Sequence, residues 1–199
     1  MLSSCKFTTS NLGWLTWYTD YAFKRDLELG TLEITLKALI ESVLNHFGVG
    51  PSSDTHTTPG VKVGRREEDE PRGDWPYREA VGRMISLSTM TRIDISNAVR
   101  AVMCHSHSPT DRHWKAVTKI LVYIHRTRSY RLTFVRDSGL ELTVYIDADY
   151  AVESSDRRSV SGTVVILEGA AVSWARVTQR CVTLYTTVWR QSTSPSVKK

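Results

Sequence analysis

The sequence predicts an α+β protein, on three observations about the spacing of its apolar residues. An aromatic-rich stretch over residues 15–36 alternates in part with a period of two, which is typical of a β-hairpin. Three later segments, within residues 76–131, carry their apolar residues at helical spacing. From Leu132 the period returns to two, which predicts one short strand and then an antiparallel meander of three strands.

The composition is that of a globular protein of one or two domains, with 199 residues, 41% of them hydrophobic and 24% charged. No apolar run approaches the roughly 20 residues that cross a bilayer, so we expect no membrane association. The N-terminal stretch has no apolar core after a basic start, which argues against secretion. We therefore expect an intracellular protein of the cytoplasm or the nucleus.

Three widely separated cysteines form neither a CxxC pair nor a disulfide framework, which is typical of a reducing compartment. Cys104 lies close in sequence to His105, His107 and His113. Their spacing fits no zinc pattern, so we expect no metal there.

The positive charge is concentrated in the second part of the chain. Residues 1–70 carry seven Lys or Arg against ten Asp or Glu, whereas residues 71–199 carry 19 against 11. Most of those 19 are arginines, whose forked guanidinium suits phosphate oxygens. The excess predicts either a nucleic-acid partner or a solvated basic surface.

Residues 1–49 are predicted to form the hairpin and one helix. Leu32 and Ile34 fall on the same face of the second strand. Thr35 is predicted to cap the following helix, KALIESVLNHF, and Gly48 stands where a left-handed C-cap residue belongs.

Residues 50–75 are rich in Pro, Gly, Ser and Thr, which predicts a linker or a long surface loop. Asp74 and Pro76 then provide start signals for the first of three amphipathic helices in residues 76–131. Thr110 is predicted to cap the third of them. Short connections between the helices favour a small helical layer.

Residues 132–190 hold the predicted strands, and residues 191–199 are polar and predicted to be disordered. In the segment TVYIDADYA, an apolar strand leads into Asp147, and Asp149 follows two positions later. Positions two apart in a strand face the same side, so the two carboxylates could bind a divalent cation. The alternative is a turn in which the Asp side chains bond the backbone.

Five sequence boxes in one order, from Phe7 to about Thr187, resemble the Pol polyprotein of copia-type retrotransposons. The boxes are FTTSNLGWLTWY, FKRDLELGTLEITLKALIESVLNHFGV, PYREAVGRMISLSTMTRIDISNAV, HWKAVTKILVYIHRT and YIDADYAVESSDRRSVSGTVVILEGAAVSWARVTQRCVTLYTT. No single box is specific, but their order is.

The resemblance implies that residues 1–49 are the end of a reverse transcriptase domain, with palm-end and thumb-like elements. It implies a helical connection over residues 76–131 and a truncated RNase H-like domain over residues 132–190. Asp147 is then the first metal-binding carboxylate, with Asp149 as its neighbour. Family enzymes cut the RNA strand of an RNA–DNA hybrid with two magnesium or manganese ions, held by about four carboxylates.

Departures from the family pattern predict that this chain is catalytically inactive and binds neither ion. Val188 stands where the family has the Glu that is its second metal ligand, and valine cannot coordinate a cation. The family's two remaining Asp positions lie beyond Lys199, and the polymerase box Tyr-x-Asp-Asp does not occur in this sequence.

Contacts with nucleic acid are expected from the turn that follows the first meander strand. Arg157 and Arg158 lie in that turn, which in the family is near the nucleic-acid face, and they would contact phosphate or stay solvated. Trp114 and Trp174 could stack on bases, but their positions favour core packing.

Two functional hypotheses follow from the sequence. The first is an inactive segment of a reverse transcriptase/RNase H polyprotein, and the second is a non-catalytic nucleic-acid-binding module derived from the element. A meander that lacks its later strands would also keep an unpaired edge, which predicts self-association through that edge.

Overall fold

The structure, a computed structural model, describes residues 13–50, 63–136, 141–149, 160–178 and 189–193. Within these ranges the chain forms four α-helices and two antiparallel sheets of four strands each. The predicted α+β class is therefore confirmed.

The predicted hairpin forms the first three strands of sheet A. Its strands in spatial order are β1 (Trp17–Tyr18), β2 (Tyr21–Asp26), β3 (Thr31–Thr35) and β4 (Leu132–Val135). Gly30 lies in the turn between β2 and β3 with φ of +63°, a backbone conformation that favours glycine.

The partner of β4 was not expected from the sequence. We predicted Leu132–Val135 to belong with the strands that follow it, but β4 pairs with β3 of the hairpin. In this pairing Ile34 lies opposite Leu132, and Thr31 lies opposite Val135. In the sequence, all four described helices therefore fall between β3 and β4, two strands that are neighbours in sheet A.

The helices form the core of the protein, as their apolar stripes predicted. They are α1 (Lys37–His46), α2 (Tyr77–Met90), α3 (Ser96–Met103) and α4 (Asp111–Arg126), with a 3-10 helix (Ile93–Ile95) before α3. Nineteen buried apolar residues from these segments and from Leu36 make one cluster. Each fully buried Val, Leu, Ile or Met side chain contributes about 1.5–3 kcal/mol relative to exposure.

In the described residues, no helix has both the length and the apolar character that crossing a membrane requires.

Both ends of α1 were assigned from the sequence, and one assignment is wrong. Thr35 is the last residue of β3, and Leu36 takes the N-cap position without a side-chain hydrogen bond. At the other end Gly48 has φ of +64°, and the N–H of Val49 donates to the Leu44 carbonyl. These features form a Schellman C-cap, which confirms the role predicted for glycine.

The predicted cap of α4 is confirmed, whereas α2 begins without one. Thr110 and His113 form a capping box at the start of α4, with the Thr110 N–H donating to His113 Nδ1 over 3.0 Å. The helix α2 begins at Tyr77, directly after Pro76, and no side chain caps it, so the start signal from Asp74 is not a cap.

Residues 63–75, the described part of the predicted linker, dock on the start of α4. His113 Nε2 donates to the Gly64 carbonyl over 3.0 Å, and Arg112 Nη2 lies 2.8 Å from Glu70 Oε2. These contacts make this part of the segment a surface loop held against the core.

Sheet B contains the predicted meander and one further strand. Its strands are β5 (Leu142–Asp149), β6 (Val160–Leu167), β7 (Ala170–Thr178) and β8 (Trp189–Thr193), in the spatial order β7-β6-β5-β8. The strand β8 extends into residues 191–193, so the prediction of a disordered tail is wrong for those three. It pairs with β5 across 142–146, and the edge that we expected to be unpaired is covered there.

Candidate functional site

Asp147 lies near the carboxyl end of β5, as predicted, and its side chain is exposed. It is one residue beyond Ile146, the last β5 residue that pairs with β8. On the other side it lies opposite Gly162 of β6. Asp149 is the last residue of β5 and lies opposite Val160, but its side chain is outside the described part of the structure.

A row of three residues crosses the sheet at Asp147. Gly162 lies opposite Asp147 on β6, and Arg176 lies opposite Gly162 on β7, so all three belong to one face. The Cα atoms of Asp147 and Arg176 are thus separated by two strand spacings, about 10 Å. A Cβ atom built on Gly162 would have nothing within 4 Å. The face is therefore open between the carboxylate and the guanidinium.

The same face of sheet B is docked on the helices through Trp174. This side chain lies one row away, opposite Val164, and its Nε1–H donates to the Ser88 carbonyl of α2 over 2.7 Å. The bond orients the sheet, because an indole has a single donor. Trp114 also packs against the core and stacks on Trp75, so the packing roles predicted for Trp114 and Trp174 are confirmed.

Beside this contact lies a cavity of about 110 Å³ between β6, β7 and the start of α3. Ser96 and Asn97 line it from α3, and Gly162, Trp174 and Arg176 line it from the sheet. Every residue of the lining is neutral or basic. The side chains provide a hydroxyl, an amide and a guanidinium, which can all donate hydrogen bonds.

A buried ion pair fixes the helical wall of this cavity. Arg92 is 1% exposed, and its Nε and Nη2 atoms lie 2.9 Å and 2.7 Å from the two carboxylate oxygens of Asp94. Arg92 Nη1 also donates to the Thr127 carbonyl at the end of α4 over 3.3 Å. These bonds attach the 3-10 helix to α4, and Ile93 of that helix lines the cavity.

Three predicted site residues lie outside the described ranges, namely Arg157, Arg158 and Val188. Of the two carboxylates, the structure describes the side chain of Asp147. Among the described residues, no group of three or more His, Cys, Asp or Glu side chains is placed to hold a metal ion.

The histidine cluster near Cys104 has a structural role. The rings of His105 and His113 lie 4.2 Å apart between centroids. Both nitrogens of His113 are engaged, Nδ1 by Thr110 and Nε2 by the Gly64 carbonyl. The ring therefore joins the surface loop to the helix and leaves no lone pair for a cation.

The sequence did not reveal that Arg176 belongs to the same cross-strand row as Asp147, or that Asn97 lines a cavity with Arg176. These residues are distant in sequence, and they come together only through the pairing of β5, β6 and β7 and the docking of the sheet on α3. One signal was present, since Gly162 interrupts a run of strand-forming residues, which often marks a close approach of another group.

Comparison with known proteins identifies several relatives. The Retrovirus-related Pol polyprotein from transposon TNT 1-94 of Nicotiana tabacum is 32% identical over 164 residues, 78% of this chain and 12% of that protein. The Putative transposon Ty5-1 protein of Saccharomyces cerevisiae is 28% identical over 150 residues, 75% of this chain and 48% of that protein. The Secreted RxLR effector protein 161 of Plasmopara viticola is 38% identical over 112 residues, 56% of this chain and 79% of that protein.

The chain thus spans less than half the length of the two transposon relatives. No family model and no solved structure matches it.

Proposed function

The chain belongs to the family of retrovirus-related Pol polyproteins of copia-type transposons, and on that premise we propose that it binds nucleic acid without hydrolysing RNA. In this proposal sheet A and the helices are the end of the reverse transcriptase and its connection, and sheet B is the start of RNase H. The order of the five sequence boxes supports this assignment, with Asp147 near the end of the first strand of sheet B.

The residues around Asp147 are the main support for the proposal that the chain does not hydrolyse RNA. A two-metal centre needs several carboxylates around the first one. On the face of Asp147 the next residues across the sheet are Gly162 and then the cationic Arg176. Val188 stands at the sequence position where the family has its second acidic ligand. This set of residues does not fit a pair of magnesium or manganese ions.

The charge distribution supports binding to nucleic acid. Residues 71–199 carry eight more basic than acidic residues, and they include sheet B and three of the four described helices. Such an excess attracts a polyanion through release of its counterions, whatever the base sequence. An RNA–DNA hybrid is the ligand that the family relationship favours, and a single strand would satisfy the same electrostatics.

An RNase H assay tests the catalytic part of the proposal. The purified chain is incubated with a labelled RNA–DNA hybrid in magnesium and, separately, in manganese, and we expect no cleavage above the buffer blank. Asp147→Asn is the matched control, because it removes the carboxylate charge and keeps the shape of the side chain. Cleavage by the unaltered chain that disappears in this variant contradicts the proposal.

A salt titration tests the binding part. Fluorescence anisotropy with a labelled hybrid and with a labelled single strand should show an affinity that falls linearly on a logarithmic salt scale. Absence of binding at 50 mM salt, or an affinity that does not depend on ionic strength, would rule out electrostatic binding to nucleic acid.

A further inference from the structure

We propose that the end of α4 and the turn that leads into β4 form a binding surface for a single strand of nucleic acid, with Tyr130 stacking on a base and Arg128 contacting a phosphate. This inference rests on the proposed function and names both the place and the form of the ligand. An exposed aromatic ring, flanked in sequence by the exposed guanidinium groups of Arg128 and Arg131, carries it.

The turn is strongly basic. Residues 125–131, HRTRSYR, contain three arginines and no Asp or Glu. Arg128 is exposed, and its Nη1 atom donates to His125 Nε2 over 3.3 Å. This bond leaves the charge of the guanidinium uncompensated, because an imidazole carries no negative charge. Since a guanidinium has five donors, Arg128 can contact a phosphate and keep its bond to His125.

The neighbouring part of sheet A adds to the positive charge. Arg131 is 51% exposed, and its Nε atom lies 3.1 Å from Glu33 Oε1. Lys24, which is also exposed, lies opposite Glu33 on β2. One carboxylate thus has two cationic neighbours, and the net charge beside the turn is positive. A polyanion is the partner that this charge complements.

Tyr130 favours an unpaired base. Its ring is 53% exposed, and the central carbon of the Arg92 guanidinium lies 5.5 Å from the ring centroid. The attraction between this cation and the ring helps to hold the ring in place. In a duplex the bases stack on one another, whereas a single strand can place a base on an aromatic side chain. The ring therefore favours a single strand over an RNA–DNA hybrid.

The turn is fixed by bonds to the helices. The N–H of Thr127 donates to the Tyr123 carbonyl over 3.0 Å, and the N–H of Tyr130 donates to the Thr127 carbonyl over 3.0 Å. The same Thr127 carbonyl accepts from Arg92 Nη1 over 3.3 Å. Because Arg92 is buried, these bonds attach the turn to the helical core. A surface that is ordered in advance loses less conformational entropy on binding.

Fluorescence anisotropy with the full chain and a labelled single strand tests the phosphate contact. Arg128→Gln should weaken binding about tenfold, the loss expected for one hydrogen bond to a charged group. It should also make the logarithmic salt dependence shallower by about 0.7, the value for one phosphate contact on a single strand.

Arg72→Gln is the matched control, because it removes the same charge from an exposed arginine near the start of α4. There the N–H of Gly73 donates to the Pro109 carbonyl over 3.2 Å. The 16 residues of α4 place this position about 24 Å from the turn. That distance exceeds the screening length of about 10 Å in 0.1 M salt, so we expect binding within about twofold of the unaltered chain.

Tyr130→Ala tests the stacking. It should weaken binding to the single strand at least about fivefold, the smallest loss expected for one stacked base, and leave the salt dependence unchanged. Tyr130→Phe keeps the ring and should bind as the unaltered chain does. With a labelled RNA–DNA hybrid, Tyr130→Ala should also bind as the unaltered chain does, because paired bases are not available to the ring.

Circular dichroism melting of every variant checks that it folds. If alanine at position 130 destabilises the fold, Tyr130→Leu, which keeps apolar bulk beside Arg92, gives the same comparison.

The outcomes separate this surface from the proposed function. If the unaltered chain binds with salt dependence but Arg128→Gln and Tyr130→Ala bind equally well, the surface is wrong and the proposed function stands. If Tyr130→Ala weakens binding to the hybrid and to the single strand alike, the preference for a single strand is wrong. If neither oligonucleotide binds at 50 mM salt, both proposals are overturned.

Discussion

Arg92 shows how a single charged residue is accommodated in the helical core. Its guanidinium is matched by the Asp94 carboxylate and the Thr127 carbonyl, and the rings of Tyr123 and Tyr130 lie 5.8 Å and 5.5 Å from its central carbon. A buried ion pair adds little net stability by itself, but removing one partner leaves an uncompensated charge. Arg92 belongs to the sequence box PYREAVGRMISLSTMTRIDISNAV. Nothing in the sequence indicated that this arginine is buried.

We predict that Asp94→Ala lowers the free energy of unfolding by about 3 kcal/mol, because Arg92 stays buried without its counter-charge. Urea unfolding followed by circular dichroism measures the change. Glu41→Ala is the control, since Glu41 is exposed and pairs with the exposed Lys37 at 3.8 Å, and its loss should cost less than about 1 kcal/mol. Equal losses in the two variants would contradict a structural role for the buried pair.

Tyr77 gives the protein a specific sensitivity to alkali. Its hydroxyl is buried and donates to the Val102 carbonyl over 2.7 Å. Burial, with a smaller contribution from Cys104, raises the pKa of Tyr77 well above its ordinary value. The folded chain therefore keeps the phenol proton at a pH where the unfolded chain releases it, so stability is complete below about pH 10 and falls as pH rises above it.

We predict that Tyr77→Phe is less stable near neutral pH by about 1 kcal/mol, the value of one hydrogen bond, and loses less stability between pH 9 and pH 11 than the unaltered chain. Urea unfolding at a series of pH values measures both effects. A slope that Tyr77→Phe does not alter would contradict the assignment.

At the scale of elements, the helices were predictable from the sequence and the strand partners were not. The stripes of α2, α3 and α4 and the caps Gly48 and Thr110 are local signals, because the residues that interact lie within one or two turns. The pairing of β4 with β3 and the strand β8 depend on residues far apart in the chain, for which periodicity carries no information. Asp147 was placed correctly near a strand end, but the position of Arg176 in the same cross-strand row required the sheet topology.

The start of α2 depends on a glycine that the sequence did not single out. A Cβ atom on Gly73 would come within 1.6 Å of the Trp75 ring, which itself stacks on Trp114 at 6.2 Å between centroids. Gly82, inside α2, has open space around it. A side chain added at Gly73 and one added at Gly82 should therefore change the stability of the protein in opposite directions.

We predict that Gly73→Ala displaces Trp75 and destabilises the protein by about 1–3 kcal/mol, as overpacking does. Gly82→Ala should instead stabilise it by about 0.5–1 kcal/mol, because alanine loses less conformational entropy in a helix. Thermal unfolding measures both changes, and near-ultraviolet circular dichroism reports the loss of Trp stacking in the first variant. The same sign of change in both variants would contradict the steric explanation.

At the scale of the whole molecule, Trp174 attaches sheet B to the helical core. Its bond to the Ser88 carbonyl joins residues 86 positions apart in sequence. The two sheets approach each other at their edge strands β4 and β7. The orientation of sheet B, and with it the cavity beside α3, therefore depends on a small interface.

We predict that Trp174→Phe, which keeps an aromatic ring and removes the donor, accelerates amide hydrogen exchange in β6 and β7 at least several-fold and leaves α4 unchanged. Hydrogen exchange with mass spectrometry resolves the two regions. Trp17→Phe, at a tryptophan that is 51% exposed, should leave both regions as they are. Uniform acceleration across the chain after Trp174→Phe would mean that the bond supports the whole fold rather than the docking of one sheet.

The position of β4 next to β3 has a consequence for the order of folding. Because Ile34 pairs with Leu132, the formation of sheet A closes a loop of about a hundred residues, which costs conformational entropy. Contacts within the loop offset that cost only after the loop has become compact. We therefore expect the helices to collapse first and to bring the ends of the loop together, so that the last strand of sheet A joins late, during or after the rate-limiting step.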